Sequence, residues 1–163
     1  MEYLSGETLE RVCSNGPLPV HTCLDILKQL VVAMQAIHAQ RFVHGGIKAQ
    51  NIMLAQKGGS DECLVKLLDF GLAKMWHHTR LTTAGVLLGT LTHTAPETFG
   101  RAPLMPSADV YALGIVSYQL FTGELPFKAR SEAMLLEEIL RSVPGPIKNI
   151  ATKSRIKSVA WSR

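Results

Sequence analysis

The chain has 163 residues, 47% of them hydrophobic and 18% charged, which excludes disordered and collagen-like classes. A chain of this length can bury roughly 70% of the surface it exposes when unfolded, enough for one domain with a real core. Its net charge of +4 is uneven: from Ser142 onward stand five basic residues, Lys148, Lys153, Arg155, Lys157 and Arg163, with no acidic one, while the rest carries twelve basic against thirteen acidic residues.

Apolar residues at Val20, Leu24, Leu27, Leu30, Val31, Met34 and Ile37 predict one stripe of a long helix, entered at Pro17 and Pro19. Phe42 and Val43 then lead into a break at His44-Gly45-Gly46. Two short apolar runs, Ile52 to Leu54 and Leu64 to Leu68, flank the turn-rich Gly58, Gly59, Ser60 and Asp61 and predict a small hairpin. From Phe70 to Arg101 periodicity is weak, so an extended, loop-dominated segment is expected there. Ser107 is the expected cap of a helix whose residues Val110 to Leu120 are apolar on nearly every side, the pattern of a buried central helix. Gly123 and Pro126 stop it. A second amphipathic helix is expected over Ser131 to Leu140, with Ala133, Leu136, Ile139 and Leu140 near one face.

No apolar run approaches the ~20 residues that span a bilayer, and the start, Met1-Glu2-Tyr3-Leu4, lacks a basic segment followed by an apolar one. A cytoplasmic protein without a membrane span is the expectation. Cys13, Cys23 and Cys63 are odd in number with no Cys-x-x-Cys spacing, so buried or idle thiols are expected rather than a disulfide framework or a zinc site. The basic tail reads as a solvated end, so nucleic acid is not an expected partner.

His44-Gly45-Gly46-Ile47-Lys48-Ala49-Gln50-Asn51 resembles the protein-kinase catalytic loop, H-R-D-L-x-x-x-N, with His, the apolar residue, Lys and Asn in register. Asp69-Phe70-Gly71 follows the second run of the hairpin, and Ala95-Pro96-Glu97 closes the long segment. Any one of these is weak alone; ordered and in these local contexts they are strong. Met1 to Leu9 looks like the hinge between kinase lobes, Gly89-Thr90 like the peptide-docking loop, and Asp109 to Gly114 like the start of the central helix, whose Asp holds the catalytic-loop backbone. Thr122 to Phe127 resembles the segment after that helix.

The resemblance implies an incomplete kinase C-terminal lobe of Ser/Thr type, closest to the bacterial branch, with a mainly α fold and a small β-hairpin. Residues 1–141 would form a partial kinase domain and 142–163 a basic tail. The N-terminal lobe and the last C-lobe helices would be absent. By the family pattern Asp69 and Asn51 would bind magnesium, Lys48 would neutralise charge on a transferring phosphoryl group, and Glu2, Asn51 and Asp69 would contact the ATP cofactor. Taken singly, Asp69 and Asn51 would read as turn caps.

Three departures qualify this, the largest being the expected absence of the N-lobe with its phosphate loop and strand Lys, so that ATP binding by this chain alone is expected to be negligible. Gly46 stands where the family has the Asp that accepts the substrate proton, and Gly45 where many kinases have an Arg that pairs with a phosphorylated loop, so Thr79, Thr82 and Thr83 are expected to be ordinary loop residues. Glu97 is expected to lack the Arg it pairs with in the family, and the central helix to leave apolar surface open to association. Three readings follow: a non-catalytic pseudokinase fragment that binds a protein partner, a Ser/Thr kinase whose N-lobe comes from elsewhere, and an inactive gene remnant.

Overall fold

The computed structural model describes residues 6–56, 63–69, 74–75, 91–99 and 103–147. The turn residues Gly58 to Asp61, the hinge residues up to Ser5, and the tail from Lys148 lie outside these. Strand β1 (Gly6–Thr8) runs into α1 (Leu9–Ser14), then α2 (Val20–Ala39) and β2 (Phe42–Val43). A short 3-10 turn at Ala49–Asn51 leads into β3 (Ile52–Gln56), followed by β4 (Cys63–Leu67) and β5 (Lys74–Met75). A second 3-10 turn, Pro96–Phe99, precedes α3 (Pro106–Thr122) and α4 (Glu132–Arg141). Helix makes up about half of the described residues, beside a small antiparallel sheet.

The hairpin expected over 52–68 is present: β3 pairs antiparallel with β4 from Ile52↔Leu67 to Gln56↔Cys63. Two pairings were not legible. Strand β1 adds to the other side of β3 with Glu7 opposite Leu54, and β2 pairs with β5, which lies inside the segment expected to be loop. Gly6 admits β1 to the sheet, because a Cβ there would stand 2.3 Å from the Leu54 carbonyl oxygen. Burial of Leu9, Val12 and Cys13 then seats α1 on the same core.

Helix α2 is where the predicted helix lies, and it buries part of the predicted stripe, Leu30 and Met34, with Cys23 and Ile26 beside them. Cys23, Ile26, Leu30 and Met34 face the core, whereas Val20, Leu24 and Val31 are exposed. The reason is breadth: the apolar arc of this helix is wider than the part its neighbours cover, so counting apolar residues locates the arc and not the contact. By length and composition α2 also matches a membrane span, which corrects the expectation that none comes close; its apolar residues are broken up by charged Asp25 and Lys28 and by polar His21, Thr22, Gln29, Gln35 and His38. Its packing against α3 and β4 is that of a core helix.

The partner of α2 is α3, laid antiparallel to it. Near one end the Cys23 thiol meets the Leu120 carbonyl, and near the other His38 meets Asp109. Ala112, Val116 and Leu120 of α3 join the α2 core, while Ile115 faces a second cluster with Leu91, Phe127, Leu135 and Ile139. Val110 and Gly114 are exposed, so α3 is central without being covered all round. Its start also differs: Met105 is the N-cap and Pro106 opens the helix, leaving the Ser107 hydroxyl to bond elsewhere. The helix ends where Gly123 turns left-handed (φ 74°), a conformation that costs other residues a clash with their own Cβ.

Helix α4 starts as expected, with the Ser131 hydroxyl accepting from the Met134 amide. The buried pair is Leu135 and Ile139, four apart; Ala133 and Leu140 are exposed, so the expected face is rotated by about one residue. Beyond it residues 142–147 are exposed throughout.

Candidate functional site

Everything at the candidate site hangs from one buried carboxylate. Asp109, in the first turn of α3 and 1% exposed, accepts three hydrogen bonds. Its Oδ2 receives the His44 amide and the His38 ring nitrogen Nε2, each at 2.8 Å, and its Oδ1 receives the Gly45 amide at 2.8 Å. A charge removed from water needs this many donors, and the amino end of a helix favours an anion besides. The expectation that Asp109 holds the loop backbone is met. His38 was not anticipated; its only sequence signal is a basic residue in the last turn of α2.

The loop then secures itself. His44 is fully buried, accepts the Gly46 amide on Nδ1 at 3.2 Å, and reaches the Leu68 carbonyl with Nε2 at 3.2 Å. An acceptor on one nitrogen and a carbonyl on the other require a neutral imidazole protonated on Nε2. Burial agrees, since it pulls the His44 pKa down against the opposing pull of Asp109, the Leu68 carbonyl and Asp69.

Of the sequence-predicted site residues, Lys48 is extended at the mouth of the 3-10 turn, and Asn51 closes that turn by donating its amide to the Lys48 carbonyl. The Asn51 side-chain nitrogen donates to the Gly46 carbonyl at 2.8 Å. With that end committed, Oδ1 is the end a hard cation would meet. The Leu68 amide donates to the Asn51 carbonyl at 2.7 Å, which ties the end of β4 to the loop. Asp69 follows at once, exposed and left-handed (φ 60°), a conformation rare outside glycine and most tolerated by Asp and Asn. One carboxylate and one carboxamide on neighbouring loops fit an ion that takes its remaining oxygens from phosphates and water. Among the described residues no three His, Cys, Asp or Glu form a metal cage.

Gly46 is buried within this frame and presents no side chain at all. Glu2, Phe70, Gly71, Thr79, Thr82, Thr83, Gly89 and Thr90 lie outside the described residues. Among the described residues the Glu97 carboxylate accepts the Ser107 hydroxyl at 3.1 Å, the hydroxyl released because Met105 caps α3. The thiols behave as expected. Burial raises Cys13 to about 12 and Cys23 to about 11, and raises Cys63 as well.

A family model described as the protein kinase domain matches residues 1–162. The chain belongs to the protein kinase family. Its match runs past residue 141, so the basic tail is included in it. Among relatives of this kinase chain, the serine/threonine-protein kinase Pkn1 of Myxococcus xanthus is 40% identical over 149 residues, covering 90% of this chain and 21% of the relative. PrkC of Bacillus subtilis is 33% identical over 169 residues, 96% of this chain and 25% of that kinase. PknL of Mycobacterium tuberculosis is 35% identical over 132 residues, covering 80% and 32%. All three are named serine/threonine-protein kinases, which supports the Ser/Thr type and the likeness to the bacterial branch. The chain spans about a fifth to a third of the length of these relatives.

Proposed function

We propose that this chain is a C-lobe portion of a Ser/Thr protein kinase domain that has kept the phosphate and metal positions and lost the base, so that it works as a pseudokinase-like binding module. The observation that carries this is Gly46. Its amide and carbonyl are both engaged, by His44 and Asn51, so the loop backbone is held while the base position has no acceptor. A positioned base is worth typically 10²- to 10⁴-fold.

In this reading residues 1–141 carry the fold, Asp69 and Asn51 hold Mg2+, Lys48 meets the phosphates, and Glu2 contributes to ATP binding at the hinge. When bound, Mg2+ would neutralise phosphate charge. ATP places the domain in the cytoplasm, and the partner is a protein, met through the exposed apolar side chains of α2 and α3. The alternative reading, a Ser/Thr kinase completed by an N-lobe from elsewhere, rests on the same three residues.

The test is transfer of labelled phosphate from Mg-ATP to a protein acceptor, comparing the unmodified chain with Gly46→Asp and with Asp69→Ala as the blank. No transfer above the blank is expected from the unmodified chain. Transfer above it would promote the enzyme reading.

A further inference from the structure

Strand β4 is the outer strand of the sheet, in the order β1-β3-β4, and an outer strand shows a row of backbone groups to whatever lies beside it. Here a side chain lies beside it. The Gln29 amide nitrogen donates to the Cys63 carbonyl at 3.0 Å, and its oxygen accepts from the Val65 amide at 3.0 Å. A primary carboxamide offers one donor and one acceptor in a plane, as a peptide group does, so Gln29 takes the pair of groups that one residue of a further strand would take. Glutamate in its place would set a second acceptor against the Cys63 carbonyl, and an apolar residue would leave both groups bare.

The helix that carries Gln29 also carries His38, nine residues on. At about 100° per residue the two point to opposite flanks of α2. One flank grips β4, which ends two residues before Asp69; the other grips Asp109, which holds the loop that leads to Asn51. We propose that Gln29 is a positioning residue, fixing β4 against α2 so that Asp69 keeps its place relative to Asn51. The proposal rests on reading those two residues as the metal-holding pair. Direct ties also join the two arms, through Leu68 to Asn51 and His44 to Leu68, and Gln29 acts one step behind them.

Backbone amide exchange on the full chain tests this, because it resolves which hydrogen bonds open together. In Gln29→Met, of similar length and unable to form either bond, the Val65 and Leu68 amides should exchange about tenfold faster or more. The His44 and Gly45 amides, held by Asp109, should keep their rates. Faster exchange at Val65 alone would reduce Gln29 to an edge cover, and uniform acceleration would reduce it to general stability; either overturns the proposal. Gln29→Glu, which keeps the acceptor for Val65, should lie between and carries the same criteria if Gln29→Met fails to fold. Mn2+ broadening of Asn51 and Asp69 signals in the unmodified chain judges the metal reading separately. Its absence removes that reading and leaves the exchange result to decide what Gln29 does.

Discussion

The loop at 44–51 and the segment at 91–99 are both pinned to the first turns of α3, and by opposite means. The loop is held by a carboxylate on the helix, buried and meeting three donors at 2.8 Å. The segment is held by its own carboxylate, exposed Glu97, meeting one helix hydroxyl at 3.1 Å. Both involve a carboxylate at a landmark of the family, yet only the first is inaccessible to water. What differs is the cost of disconnection: water can replace the Ser107 hydroxyl on Glu97, while it has little access to the donors that meet Asp109 and least to the buried His44 amide.

The largest effect should therefore come from Asp109→Ala. It strands the His44 and Gly45 amides and the His38 ring, and should cost about 3–5 kcal/mol, a large part of an ordinary domain's stability. Asp109→Asn, which keeps an acceptor but turns an N–H toward other donors, should cost less. Urea denaturation measures both. A loss below about 1 kcal/mol for the alanine variant would mean that the loop holds itself and that the contrast with Glu97 is one of appearance.

Acid offers a second way to probe the same anchor. His44 is buried neutral, with its pKa lowered chiefly by burial, so as pH falls the unfolded chain takes up this proton first, near the ordinary value of about 6.5. Below that pH the unfolded state binds more protons than the folded one, and stability falls until the lowered folded value is reached. The stability lost between pH 7 and 5 should be smaller in His44→Gln than in the unmodified chain. Equal slopes would show that His44 is not the group that titrates.

The contrast between the two pins also marks what could be read from the residues. Motif order located His44, Asn51, Asp69 and Asp109, because these residue types recur at fixed spacing for chemical reasons, and periodicity located three helices and the hairpin. Which face of α2 or α4 would be buried was not legible: Leu24 and Leu30 are the same residue type, and only the position of α3 decides that one is covered. His38 and Gln29 were missed for a related reason. Each bonds a residue more than thirty positions away, and no local pattern distinguishes them from other polar residues of a half-exposed helix. Strands β1 and β5 were missed because two or three residues carry no readable period.

The smallest effect should come from Glu97→Gln. The carboxamide can still accept the Ser107 hydroxyl, the site is exposed, and an exposed polar contact of this kind is worth little, so stability should change by less than about 0.5 kcal/mol. One consequence of the lost charge is nonetheless readable. The Tyr111 hydroxyl is buried with no hydrogen-bond partner among the described residues, and its pKa is raised first by that burial and second by the Glu97 charge. Removing the charge should lower the Tyr111 pKa and still leave it above the ordinary phenol value, because burial remains; absorbance during an alkaline titration, with Tyr111→Phe as the reference, follows it. A loss of more than about 1 kcal/mol in Glu97→Gln would show that charge, rather than the packing of Leu91 and Ala95, holds the segment, and the two pins would then be of one kind.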